Sequence, residues 1–555
     1  MTLELLPNEI LLVCLQYLDI WQIFHSFDEL NARFNRLIRT QLSYKLNFEN
    51  VTKPKLIQYC ECIHRNPQIK QQVYSLRLSI NSLYDQIRIF RAWFSIDEFP
   101  HLRMLSFIGN ENTEEVNIKS KLPLSAEIFE PLLEDFFIAK LFSNGNRLLQ
   151  TELSAITHIT LIDSYLYDLV ILLKNASALE FLKIQKIINY GSMKEMDIYP
   201  NASMKYLTIE QCESNFEDLE FLLSHTRNLT FFRVITSDTN ELVDALHWER
   251  LINLLLCQLS DFQFIFNNLF ETNDLINKFE QFQSDFWLRQ HQWQTNYSLL
   301  YGYRMIHTIP YPLTDLSVKF APLQYALNKS NEFSYVTKLT LLIRIYPDKE
   351  QYYFPNVTTL TLVSSFRLDD LVYANNFVIV LTRFVNLSNL KHLNIQACRG
   401  TYATFILFEI LKRSPRLSVL TFELQLMPSI LENELLCHHL NQTIKRVNCN
   451  YGLLHRLKDV EKFCQVFSHI EQLTYNGDRR EHILYLLNHL SELSLLTIRL
   501  PPYRDPVDFV DWFKKRIFKI YANYYIEEFN EKNMELYFCI WIEHDSHLFS
   551  IMSSF

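Results

Sequence analysis

Apolar residues recur along most of this chain in one figure: a first residue, a second three positions on, a third two further. It is first seen as Val73, Leu76 and Leu78, and again as Leu102, Leu105 and Phe107. It continues from Ile156, Leu179, Met204, Leu229 and Leu259, and later from Val336, Val357, Leu390, Leu417, Ile444, Ile470 and Leu493. The last two residues of each figure are spaced by two, as on one face of a strand. The starts from Ile156 step by 23, 25, 25 and 30 residues, and those from Val336 by 21, 33, 27, 27, 26 and 23. A single figure would carry little weight in a leucine-rich chain, but fourteen at a near-constant step define a repeat.

The stretches between the figures have a period of their own. Leu169, Leu172 and Leu173 stand ten residues ahead of the Leu179 figure. Leu219, Leu222 and Leu223, then Leu407, Ile410 and Leu411, then Ile483, Leu486 and Leu487 keep the same offset from theirs. Spacing of this kind puts three side chains on one helix face. The predicted unit is therefore a helix followed by a strand, each with one apolar face that only neighbouring units can cover. Strands joined through helices run parallel.

Two regions break the period. Residues 109–150 hold a polar run, then Pro123, then a predicted helix with Phe129, Leu132, Leu133, Phe136 and Phe137. Residues 267–325 are rich in aromatics and are expected as an irregular insertion, helical to Trp293 and extended from Thr308 to Pro322. They are expected to part a first arc (49–266) from a second (326–500). Residues 501–555 read as a cap, with a helix after Pro506 and a strand, ELYFCIWIE, apolar on both faces and so expected to be buried.

The first 48 residues follow another pattern. Pro7 and Glu9 suit the first turn of a helix. Ile10, Val13, Cys14, Tyr17 and Leu18 form one stripe, yet Leu11, Leu12 and Leu15, off that stripe, are apolar too. A second short helix carries Ile23, Phe24 and Phe27, and a third, capped by Asp28, carries Leu30, Phe34, Leu37 and Ile38. Helical character is expected to continue from Leu42 to Cys62. So small a unit rarely stands alone, so a partner is expected to cover what remains.

Leu6-Pro7, Glu9-Ile10, Leu15, Tyr17-Leu18, Phe24 and Phe34 resemble the F-box pattern, with Phe34 in place of the usual Trp and Leu30-Asn31 in place of Val-Cys. The fourteen figures resemble leucine-rich repeats, which often follow an F-box. The Asn or Cys that usually follows the repeat strand is present as Cys212 and Cys398. The resemblance implies an α/β fold: a three-helix F-box, then an irregular, horseshoe-like solenoid of parallel strands and helical crossovers. It also implies docking on a Skp-family adaptor, and through it on a cullin, with Leu6, Pro7, Ile10, Leu12, Leu15, Leu18, Phe24, Leu30 and Phe34 as contacts. The repeats would hold a protein substrate for ubiquitination. Strand residues alternating with the core anchors are the candidate substrate contacts: Phe181, Lys183, Tyr206, Phe231, Arg233, His392, Asn394 and Arg446.

Composition narrows the alternatives. A net charge of -9 argues against nucleic acid as a partner. Only 7 glycines, far apart, leave no phosphate-cradling loop and no dinucleotide fingerprint, and no cofactor is expected. The 10 cysteines lack paired spacing, as in a reducing compartment, cytosol or nucleus. No apolar run has the roughly 18 residues a membrane helix needs, and the first residues lack the basic start of a signal peptide. Cys60, Cys62 and His64 lack the second pair that a zinc site requires. No acid pair or nucleophile with its base stands out. The reading is a non-catalytic receptor. Its rivals are a repeat scaffold unconnected to ubiquitin ligation and an enzyme with a pocket in the aromatic insertion. The basic-aromatic run WFKKRIFKIY could meet RNA or membrane, or be the outer face of a capping helix.

Overall fold

The computed structural model describes residues 6–15, 18, 20–27, 30–48, 51, 53–79, 86–108, 155–188, 200–236, 242–268, 272–300, 303–318, 332–343, 353–364, 370–396, 402–450, 456–477, 479–500, 512, 524–530 and 536–542. The fold is α/β, and the chain divides into two compact units. One holds residues 1–295 and 305–308, the other 296–304 and 309–555.

In the first unit eight strands lie side by side in chain order, all parallel. They are Tyr44–Asn47 (β1), Val73–Ser79 (β2), Met104–Ile108 (β3), His158–Tyr165 (β4), Phe181–Ile188 (β5), Tyr206–Cys212 (β6), Phe231–Thr236 (β7) and Asp261–Asn268 (β8). The apolar figures are in register across them: Leu76, Leu105, Ile159, Leu182, Leu207, Phe232 and Phe262 are successive Cα partners. All are buried, as are the residues three positions before and two after each of them. The rings of Phe232 and Phe262 stack with centroids 5.5 Å apart. Helices Leu166–Asn175 and Phe216–Ser224 bury the predicted triads behind the sheet. Each side chain so buried contributes about 1.5–3 kcal/mol, which no single helix–strand pair could collect alone.

The second unit repeats the plan. Asp315–Val318 (β11), Lys338–Leu342 (β12), Thr359–Val363 (β13), His392–Gln396 (β14), Val419–Glu423 (β15), Arg446–Asn450 (β16), Gln472–Asn476 (β17) and Leu495–Leu500 (β18) are parallel and in chain order. Leu536–Ile542 (β20) then pairs antiparallel with β18, and Tyr524–Asn530 (β19) with β20. The strand expected near the end is thus β20, lying between two others. The capping helix expected after Pro506 and the helix with Phe129 lie outside the described residues, apart from the helical residue Trp512.

Two local expectations are corrected and one is extended. The stretch expected to stay helical from Leu42 holds β1, in which Tyr44 and Leu46 are buried and Lys45 and Asn47 exposed. Four residues of alternating burial, paired to β2, outweigh the local helical signal, and the helix resumes only at Lys53–Arg65. Next, the expected extended crossing from Thr308 contains β11, the first strand of the second sheet. Leu313, Leu316 and Val318 repeat the figure there, 23 residues before Val336, hidden among prolines and polar residues. The rest of the expected insertion is ordered as helix Thr272–Gln281, a short π-helix Phe286–Gln290 and strands Thr295–Leu300 (β9) and Tyr303–Thr308 (β10).

The third point concerns the turns, where polar side chains also serve the repeat ahead of a strand at three places. Asn228, Asn356 and Asn389 each stand one residue before an apolar figure. Each donates its Nδ2 to a carbonyl of the preceding repeat, on Ala202 (2.8 Å), Ser334 (2.8 Å) and Pro355 (3.1 Å). The carbonyls there are left without ladder partners by the helix-to-strand turn, and an amide side chain reaches them. Cys212 is buried at the end of β6, and Cys398 lies outside the described residues.

His307 lies buried in the strand Tyr303–Thr308, its Nδ1 donating to the Thr308 carbonyl oxygen at 3.1 Å. Burial pushes its pKa down to about 4, below the 6.5 of a free histidine. A group whose folded pKa is depressed stabilises the fold above its unfolded pKa, and that contribution is lost as pH falls toward the folded value. Stability is therefore expected to fall between pH 6.5 and about 4. Thermal melts of the wild type and His307→Gln across that window should show a flatter slope in the variant; equal slopes would contradict this assignment.

Candidate docking surfaces

Among the described residues two sets of side chains face outward. The first lies on and between the N-terminal helices Asn8–Leu15 (α1), Ile20–Phe27 (α2) and Ala32–Arg36 (α3). Asn31, rather than Asp28, caps α3: its Oδ1 accepts from the backbone N–H groups of Arg33 and Phe34, both at 3.0 Å. Arg33 ties α3 back to the start of the chain, donating from Nε to Asn8 Oδ1 at 2.7 Å and from Nη2 to the Leu6 carbonyl oxygen.

Burial splits the expected adaptor contacts and the apolar residues beside them. Leu11, Leu15, Ile20, Ile23 and Phe34 are buried, with the Phe27 and Phe34 rings 5.4 Å apart. Ile10 is 47% exposed, Val13 50%, Leu18 37% and Leu30 54%. Pro7 and Cys14 are also exposed, and Leu6 and Leu12 are half-buried. Of the α1 stripe, Ile10, Val13, Cys14 and Leu18 therefore face outward, and Leu11 and Leu15, off that stripe, are the buried residues of the helix. Leu15 and Phe34 serve that core. Phe24 lies on α2, and Tyr17 lies outside the described residues.

The second set lies on the first sheet, on the face opposite its core anchors. His158, Phe181, Tyr206 and Phe231 are successive partners across β4 to β7, with ring centroids 5.5, 6.3 and 6.1 Å apart. Tyr206 is 44% exposed, and Phe181 and Phe231 are half-buried. Two residues along the strands a second row runs through Thr160, Lys183, Thr208, Arg233 and Gln263. Lys183 Nζ pairs with Glu210 at 2.6 Å. Arg233 donates to Gln263 Oε1 from Nε (2.9 Å) and Nη2 (2.6 Å), and its Cζ lies 5.5 Å from the Phe231 ring centroid. Gln263 in turn donates to Asp261 at 3.1 Å. Burial raises the Asp261 pKa, against the Gln263 hydrogen bond and the nearby Arg233 charge.

The equivalent row of the second sheet is different. Ser317, Thr340, Thr361, Asn394, Thr421, Asn448, Thr474 and Thr497 are partners over eight strands, all uncharged. His392 Nε2 lies 2.8 Å from Thr421 Oγ1, and burial lowers the His392 pKa, favouring the neutral ring. Asn448 donates to Thr421 Oγ1 at 3.2 Å and accepts from Thr474 at 3.1 Å. Asn394 is half-buried beside them and Arg446 is exposed. Residue-by-residue reading placed all eight candidates on strands, but it did not reveal that Phe181, Tyr206 and Phe231 join His158 in one row.

Compared with known proteins, the chain matches no family model and no curated protein.

Burial pushes the thiols of Cys60 and Cys464 up to about 12 and that of Cys212 up to about 11, so they remain protonated at neutral pH. Among the described residues no group of three or more His, Cys, Asp or Glu could hold a metal ion, and no helix is long and apolar enough to cross a membrane.

Proposed function

We propose that this chain is the substrate-recognition subunit of a Skp–cullin–F-box ubiquitin ligase. In this reading its N-terminal helices are an F-box that docks the Skp adaptor. The strands and helices that follow form a leucine-rich-repeat array that holds a protein substrate. The subunit has no chemistry of its own to perform; tethering raises the substrate's effective concentration at the transfer site. One observation carries the reading. Ile10 and Val13 on α1, Leu18 after it and Leu30 before α3 stay exposed beside the buried Leu11, Leu15, Ile20, Ile23 and Phe34, so a short unit presents a cluster of exposed apolar side chains. The free cysteines fit a reducing compartment, cytosol or nucleus.

Co-expression with a Skp adaptor tests it. The intact chain is expected to co-purify with the adaptor, and Ile10→Asp, Leu18→Asp to lose at least about tenfold in affinity, as burying a charge at the centre of an apolar interface does. Both positions are exposed, so the melting temperature should stay unchanged. No complex with the intact chain would sink the ligase reading and favour the alternative, a repeat scaffold unconnected to ubiquitin ligation.

A further inference from the structure

From the first sheet's outer face we infer that it binds a short extended segment that is acidic and carries aromatic or aliphatic side chains. Charge complementarity is the argument. The row beginning at Lys45 runs Ser75, Met104, His158, Phe181, Tyr206, Phe231 and Asp261; the row beginning at Asn47 runs Arg77, Ser106, Thr160, Lys183, Thr208, Arg233 and Gln263. These two rows hold four cations (Lys45, Arg77, Lys183, Arg233) and one carboxylate, Asp261. Glu210 adds a second carboxylate, at Lys183. A local excess of positive charge thus stands on a chain whose net charge is -9. It draws acidic partners and repels basic ones.

The rings decide what else the segment carries. Four rings in a continuous row offer stacking and apolar contact, and the hydroxyls of Ser106 and Thr160 lie between the cations of the next row. With strands about 4.8 Å apart, the ring row from β4 to β7 spans roughly 14 Å, the length of about four to five extended residues. From β11 to β18 the same two rows of the second sheet hold two cations, Lys338 and Arg446, against Asp315, and His392 as their single ring, so the adjoining rings and the larger set of cations favour the first sheet for this recognition. The inference deepens the receptor reading and rests on it only in calling the segment a substrate.

Fluorescence polarisation of the full chain with a labelled random copolymer of glutamate and tyrosine tests the inference. Saturable binding that weakens with added salt is expected, together with much weaker binding of a lysine–tyrosine copolymer and of heparin. Tyr206→Ser with Arg233→Gln should weaken binding at least about tenfold. Lys338→Gln on the second sheet should leave it unchanged. If the double variant does not fold, the contrast between the two copolymers on the wild-type chain still decides. No saturable binding, equal binding of heparin or of the lysine copolymer, or equal loss in Lys338→Gln would overturn the inference. Adaptor capture is read separately, so failure here leaves the ligase reading standing, and failure there leaves this one.

Discussion

Trp248→Ala is expected to lower the stability of the first unit by about 3–5 kcal/mol, the cost of emptying a large buried aromatic site. Trp248 is fully buried on helix Ala245–Leu255, with ring centroids of Phe216, Phe262, Phe266 and Phe232 at 4.9, 5.0, 6.0 and 6.1 Å. Its Nε1 donates to the Leu242 carbonyl oxygen at 2.8 Å, and losing that bond adds about 1 kcal/mol. Those rings come from one helix and two strands, so the void cannot close by one side chain turning. Urea unfolding followed by far-UV circular dichroism should show a shifted transition for the first unit. Leu254→Ala, at a 78% exposed position of the same helix, should change stability by less than about 0.5 kcal/mol. A Trp248→Ala shift no larger than the Leu254→Ala shift would refute the packing account.

Phe34→Ala should cost a similar amount, about 3–5 kcal/mol, but locally. Phe34 is fully buried on α3 beside the Phe27 ring of α2, and its own backbone N–H is part of the Asn31 cap. Hydrogen exchange of residues 8–36 should speed up in Phe34→Ala and stay as in the wild type in Leu30→Ala. Under the F-box reading both variants lose adaptor affinity, one by unfolding the helices and the other by trimming an exposed contact. Unchanged exchange in Phe34→Ala would show that the residue is not the centre of that small core.

The two expectations differ in how they could be foreseen. The apolar figure placed Phe232 and Phe262 in the core from spacing alone, because a period of two on a strand reports which face is buried. Trp248 obeys no such figure, and its place among rings from several elements arises only when the repeats stack. In α1 the same rule could not choose a face. Nearly every residue is apolar, so periodicity could not tell the inward face from the outward one, and the burial of Leu11 and Leu15 chose it. β1 and β11 were missed for a related reason: each is four residues long, and pairing with its neighbour, not local pattern, makes it a strand.

The sequence by itself determined the parallel α/β plan, the place of all fourteen apolar figures in the core, and the helix triads behind them. Each of these is a property of spacing within a few residues. Tertiary structure alone decided which N-terminal apolar residues are left uncovered. It also decided that His158, Phe181, Tyr206 and Phe231 stand in one row beside Lys183 and Arg233. Register between strands is set by the stacking of whole repeats, and residues about 25 apart in the chain become neighbours only then.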